Sequence, residues 1–556
     1  MTRTPNRLPG WFGPAFAIGP AVVVGSFYLW PLLTLLGRGL TPSGLADTIG
    51  DNLTRQVAWF TFWQAALSTV LTLACGLVPA YVMGRYEFPG RRLLDGVLAA
   101  TFVLPTVVMG AAVLALLPAS IERGVIPILI AHVVFNLAVV VRTVGPVLTA
   151  LPRDLDAAAA TLGAPPARVF REITLPAIGP SLGAAASIVF VFTFTSFGVV
   201  RLVGGVARST IEVEIWRQAT QFGDIDTAAA LTVLQLTVVA VVVGVASGWQ
   251  RRRSRALGLR IGSQRRRPNG PRQRRFVLVT GLLTALVVAA PLAALVERSL
   301  RTRDSYSLHA WRDLGATELR PGISVGVDPL GALGSSLQAM LVATLLAVVV
   351  GTLAAVAIVA SPRAGRVLDG ALMLPIATSA VTVGFGILIT FDRDPVDWRS
   401  SWWIVPVGHA LVALPFVVRT VLPVLRGVEG RRLEAAATLG AAPARAWRLV
   451  VAPHLRRPVT VAAGLAAAIS LGEFGASSFL SRSGGETMPI AIERLLGRAG
   501  TRLQAQGYVL AVILAAATIV VVIALDVTGG ADRSGAGRRG AGRGGNGPGV
   551  TRRPTG

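Results

Sequence analysis

Runs of about 20 apolar residues, long enough for a helix to cross the hydrocarbon of a bilayer, recur along this chain with at most one charge in each. They predict twelve transmembrane helices. In the first half the runs cover 11–37, 57–84, 97–121, 125–141, 178–200 and 227–249. In the second they cover 276–296, 331–360, 370–391, 401–418, 459–480 and 507–525. The first run follows Arg3 and Arg7 as a signal peptide would, but it is too long for such a segment and no convincing cleavage site precedes Arg38. It reads as a retained span.

Composition supports a membrane protein. At 53% hydrophobic and 15% charged residues, the chain falls well below the roughly one-quarter charged fraction of soluble domains. There are 53 basic residues against 28 acidic ones, and every basic residue is Arg. The absence of Lys excludes a Walker A phosphate loop, which needs one to reach the terminal phosphates. A single cysteine, Cys75, excludes an intrachain disulfide and a cysteine-clustered zinc site. With the N-terminus inside, alternate loops divide the Arg into 36 cytoplasmic and 17 external. Basic residues accumulate on the cytoplasmic side, so both termini are expected there. Segment 251–275 carries eleven Arg and no acid. Between two spans it reads as a cytoplasmic tether against anionic headgroups rather than a nucleic-acid site. The Gly- and Arg-rich tail 527–556 is expected to be disordered.

The chain is a duplicate of itself. AHVVFNLAVVVRTVGPVLTAL from Ala131 matches GHALVALPFVVRTVLPVLRGV from Gly408 at an offset of 277 residues. The offset persists through Gly163 and Gly440, Pro176 and Pro453, Phe197 and Phe474, and Thr210 and Thr487. Six spans per half make the repeats parallel, related by an axis along the membrane normal. The expected organisation is a first repeat at 1–250, the linker 251–275, a second repeat at 276–526, and the tail 527–556.

Two loops, 142–177 and 419–458, are too long and too patterned to be simple turns. Each has an Ala-rich helix former, a Gly at the stop (Gly163 or Gly440), and a Pro that begins the next helix (Pro166 or Pro443). Ala157, Ala158 and Ala159 in one copy, and Ala435 and Ala436 in the other, give a helix face with little bulk. Another surface can approach such a face closely. Arg168, Arg171, Arg445 and Arg448 stand ready for carboxylates on whatever docks. Preserved amphipathic surface helices are the alternative, but a solvated helix gains nothing from an Ala-only face.

These loops resemble those of the permease subunits of binding-protein-dependent ABC importers, whose signature is E-A-A-x-x-x-G, nine residues, then I-x-L-P. The second copy has Glu434, Ala435, Ala436 and Gly440, then Val450, Ala452 and Pro453. The first has Ala158, Ala159, Gly163, Ile173, Leu175 and Pro176, with Ala157 in the Glu position and Asp156 before it. The resemblance runs from Trp59 to about Leu525 and is nearest to fused permeases of the ferric-iron and thiamine type. FTFWQAALST from Phe60, AHVVFNL from Ala131 and STIEVEIWRQAT from Ser209 lean toward thiamine.

The resemblance implies an all-α integral membrane protein with the type I importer permease fold, multi-pass in the cytoplasmic membrane. It implies an ATP-binding cassette ATPase dimer docked on the two loops, an extracytoplasmic substrate-binding protein on the other face, and no role for nucleic acid. ATP and Mg would belong to the ATPase, no cofactor or metal is expected on this chain, and the chain itself would be no enzyme. The alternatives are an ion-driven secondary transporter with two parallel six-span halves and an Arg-rich membrane scaffold.

Glu473 is the one acidic residue well inside an expected span, and its counterpart in the first repeat is Ser196. An intramembrane carboxylate is expensive. It either faces the central cavity, favouring a cationic substrate, or bonds to neighbouring helix groups. His132 and His409 are repeat-related and read as hydrogen-bonded cross-links between helices. The external segments 209–226 and 486–505 read either as the floor under the binding protein or as helical turns resting on the bundle.

Overall fold

In hydrocarbon every backbone polar group needs an internal partner, which makes helices the natural form for long apolar runs. The computed structural model is accordingly helical, apart from a hairpin that pairs Glu318–Arg320 with Ile323–Ser324. It describes residues 12–540 except 153–157, 160, 206–207, 254–264, 302–304, 317, 321–322, 325, 362–363, 393–396, 399–400, 429 and 483. The first half contains α1 (Ala15–Gly39), α2 (Asn52–Arg85), α3 (Arg91–Val103), α4 (Thr106–Leu116), α5 (Val125–Ala150), α6 (Ala167–Phe194), α7 (Ile211–Arg217) and α8 (Ile225–Gln250). The second contains α9 (Gly270–Leu300), α10 (Pro329–Ala360), α11 (Ala364–Ala377), α12 (Ala380–Thr390), α13 (Ile404–Gly427), α14 (Gly430–Thr438), α15 (Ala452–Gly472), α16 (Met488–Leu496) and α17 (Thr501–Gly540). Shorter helices are named by their residues.

Twelve straight spans were expected. Among the described residues, nine helices are long and apolar enough to cross, and two bent pairs bring the number to eleven. The run 97–121 is α3 and α4, which meet at 107°. Pro105 causes this break, because proline removes an amide donor and pushes the preceding residue out of the helical region. The run 370–391 is likewise broken, at 99°, where Thr378 and Ser379 leave the helix before α12. The run 459–480 is α15. It ends at Gly472 and holds Arg456 and Arg457 near its start, which leaves it short of the apolar length the others have.

Each half sends its first helix across the other. α1 packs on α10, and its second part on α12 and on α8. α9 packs on α2 and α4 and on α17, the repeat-related partners. Within the halves, glycine allows close helix approach. A Cβ on Gly76 would stand 2.7 Å from Val140 Cβ, and one on Gly351 would stand 2.6 Å from Val417 Cγ1. α2–α5 and α10–α13 thus share one contact.

The end of the Arg-rich linker is a strap. Arg266 N donates to Arg85 O, Glu87 N donates to Arg266 O, and the Arg266 guanidinium lies over the Tyr86 ring while donating to its hydroxyl at 3.0 Å. α17 runs on through Gly540, into the tail that was expected to be disordered. Residues 541–556 lie outside the described residues.

Candidate functional site

The axis relating the halves is marked by two rings. Phe197 and its repeat counterpart Phe474 meet with centroids 5.0 Å apart and planes tilted by 34°. They sit where α6 and α15 have ended, against the breaks in α3–α4 and α11–α12. A Cβ on Gly472 would be 3.2 Å from Pro105, and one on Gly475 would be 3.0 Å from Val381 N. Glu473 and Ser196 immediately precede these rings and are 5% and 7% exposed. Ser196 Oγ lies 2.9 Å from His132 Nε2, whose Nδ1 is 3.0 Å from Ser68 Oγ. His409 bridges Ser470 and Ser477 at 2.9 and 2.7 Å, on either side of the α15 break. Both imidazoles therefore sit as hydrogen-bonded cross-links. Glu473 Oε1 accepts from Ala476 N at 2.8 Å and its carbonyl accepts from Ser477 Oγ. It thus caps the turn after α15 while standing on the axis.

A second buried carboxylate joins it that the sequence pattern did not single out. Glu212 of α7 is fully buried and accepts from Gln235 Nε2 of α8 at 2.6 Å. Ser379 and Glu473 of the second half stand near it. The signal in the sequence is an acid enclosed by apolar neighbours, Ile211 and Val213, in a segment otherwise read as an external surface.

Away from this centre, the two long loops adopt one geometry twice. Gly163 and Gly440 have φ of +74° and +78°. Ala164 N donates to Ala159 O, and Ala441 N to Ala436 O, closing the same turn. Pro176 and Pro453 each follow a π-helical turn, Phe170–Thr174 and Trp447–Val451, where proline's missing donor widens the helix. Both prolines are exposed. Ala158 and Ala435 are exposed, Ala436 is half-buried and Ala159 is buried. Asp156 and Ala157 lie outside the described residues. Glu434 lines a cavity of about 300 Å³ under α14, with Val356, Leu425 and Trp447, and its Oε1 is buried there without a hydrogen-bond partner. Among the described residues of the loops, Leu162 and Leu439, repeat partners, are large apolar side chains that are 87% and 88% exposed.

At the end remote from these loops, one ion pair ties the halves. Arg201 Nη2 meets Glu493 Oε1 at 2.8 Å, and its guanidinium lies 4.1 Å from the Trp216 ring centroid. Trp216 and Glu493 are themselves repeat counterparts, so one arginine is held between equivalent positions of both halves. Either single reversal, Arg201→Glu or Glu493→Arg, should lower the melting temperature of the purified chain by a few degrees, the range for losing about 1–3 kcal/mol. The double reversal should recover most of the loss. A double variant no better than the singles would show that the pair does not couple the halves.

Two repeat-related helical halves about a common axis, with a paired loop at one end and broken helices at the centre, define a membrane permease. The chain belongs to the family described as the binding-protein-dependent transport system inner membrane component, which matches residues 73–256 and again 347–528. It is 29% identical over 535 residues to the thiamine transport system permease protein of Brucella abortus, covering 89% of this chain and 93% of that one. Identity to the thiamine transport system permease protein of Salmonella typhimurium is 26% over 526 residues, with the same coverage. A probable sulfate transport system permease of Marchantia polymorpha is 35% identical over 157 residues, 26% of this chain and 54% of that one. The protein is thus a fused two-repeat permease of an ABC importer, in the inner membrane.

Proposed function

We propose that this permease carries thiamine into the cell, moving between inward- and outward-facing states as a separate ATPase dimer closes on its two coupling loops. The observation that carries the substrate is similarity to thiamine permeases over 89% of the chain. Acidic side chains on the axis suit a substrate with a permanently charged thiazolium ring. The ATPase, with its own ATP and Mg, would meet Leu162 and Leu439. A substrate-binding protein would deliver cargo at the end where Arg201 meets Glu493. Reconstituted with both partners, the complex should hydrolyse ATP faster when thiamine-loaded binding protein is added. Stimulation by a different cargo, with none by thiamine, would reassign the substrate.

The coupling loops and both termini face the cytoplasm in this reading, in line with the 36 to 17 division of Arg. Cysteines introduced at Ser263 and Gly540 should resist membrane-impermeant maleimides in intact cells and react after lysis. Labelling of both in intact cells would invert the orientation.

A further inference from the structure

Three carboxylates at the end of the molecule remote from the coupling loops have a basic partner. Glu214 pairs with Arg217 at 3.4 Å, Glu486 with Arg494 at 2.7 Å, and Glu493 with Arg201 at 2.8 Å. Glu212 and Glu473 differ, since among the described residues neither forms an ion pair with an Arg. Glu473 is held by the Ala476 amide at 2.8 Å, whereas Glu212 is under-satisfied. Glu212 Oε2 is buried and has no hydrogen-bond partner, and Gln235, held to Glu212 by the 2.6 Å bond, has an amide oxygen that is buried and unbonded as well.

A buried carboxylate normally has a cation or a set of donors, because its desolvation is otherwise uncompensated. Here a carboxylate oxygen of Glu212 and the amide oxygen of Gln235 lie together with acceptor capacity left over, and Glu473 stands near them. They also lie on the surface that must part when the halves move. Glu212 and Gln235 belong to the first half, Glu473 and Ser379 to the second, and Glu473 is followed in the chain by Phe474, whose ring meets Phe197 across the halves.

We propose that Glu212, Gln235 and Glu473 form a recognition site for an organic cation in the translocation pathway, with the faces of Phe197 and Phe474 contributing cation–π attraction. The site rests on the substrate reading above and deepens it by naming the residues that select the charge. Two carboxylates and aromatic faces suit a large, weakly hydrated monocation. A bare metal ion calls for more ligands, and among the described residues no group of three or more His, Cys, Asp and Glu side chains is placed to hold one. Neither acid has an acidic repeat counterpart, because Pro489 and Ser196 occupy the equivalent positions. The pathway is therefore asymmetric although the fold is not.

The test uses the full chain in lipid nanodiscs, with thiamine and tetraethylammonium as probes and melting temperature as the readout. Either probe should stabilise the wild type in a saturable way. Glu212→Gln and Glu473→Gln should each weaken the apparent affinity about ten- to a hundredfold, the usual worth of one charge-assisted contact. Two variants guard against one failing to fold. Equal stabilisation of the wild type and both variants, or none of the wild type by either probe, overturns the site. Stabilisation by tetraethylammonium but not by thiamine keeps the site and rejects thiamine as the substrate.

Discussion

Replacing both Leu162 and Leu439 by Asp should abolish ATP-driven uptake while leaving the permease folded and in the membrane. Both side chains are almost wholly exposed, at 87% and 88%, so the fold loses little when they change. On a docked partner they would be buried. Burying a Leu contributes about 1.5–3 kcal/mol, and an Asp at the same place adds a desolvation cost. Together the two substitutions should weaken ATPase binding on the order of 10²- to 10⁴-fold, measured by copurification and by titration of the ATPase onto the permease. Two further repeat-related residues at the same end, Leu93 and Val367, are 73% and 75% exposed. These four exposed side chains form two repeat-related pairs, as a dimeric partner requires. Normal ATPase binding by the double variant would remove the leucines from the interface.

Gly163→Val and Gly440→Val together should uncouple ATP hydrolysis from uptake. Nothing lies within 4 Å of a Cβ built at either glycine, so no clash is expected. The penalty comes from φ of +74° and +78°, a left-handed conformation that costs an ordinary L-residue about 1–2 kcal/mol and is worse for a β-branched one. The turn that aims Leu162 and Leu439 should therefore relax into another shape. Asn tolerates this conformation better, so Gly163→Asn with Gly440→Asn should keep most of the transport rate. The comparison is made on transport rate per ATP hydrolysed. Equal coupling in the Val and Asn variants would show that the turn conformation does not matter.

Much of this architecture could be read from the chain, because a duplication at constant offset shows directly which residues share an axis. Phe197 and Phe474, His132 and His409, and Gly163 and Gly440 were all visible as pairs. The helix breaks were not. A 107° bend at Pro105 leaves the apolar run intact, so counting apolar residues passes straight through it. Glu212 escaped notice because its partners are distant in sequence. Gln235 is 23 residues further on, and Glu473 belongs to the other half. Leu162 and Leu439 stood beside the glycines in the motif, but a sequence gives an apolar residue without its exposure. Glu434 looked like the docking group from its place in the signature. In the structure one of its oxygens turns into the cavity under α14, where Trp447 and Leu425 enclose it.

Coupling to an external ATPase is the central claim, and uptake into proteoliposomes tests it most directly. The permease is reconstituted with its ATPase and thiamine-loaded binding protein, and labelled thiamine is followed with ATP or with a proton gradient as the only energy source. Accumulation that requires ATP, the ATPase and the binding protein, and is indifferent to the proton gradient, is the result expected. Accumulation driven by the gradient without the ATPase would contradict the account and make the chain a secondary transporter.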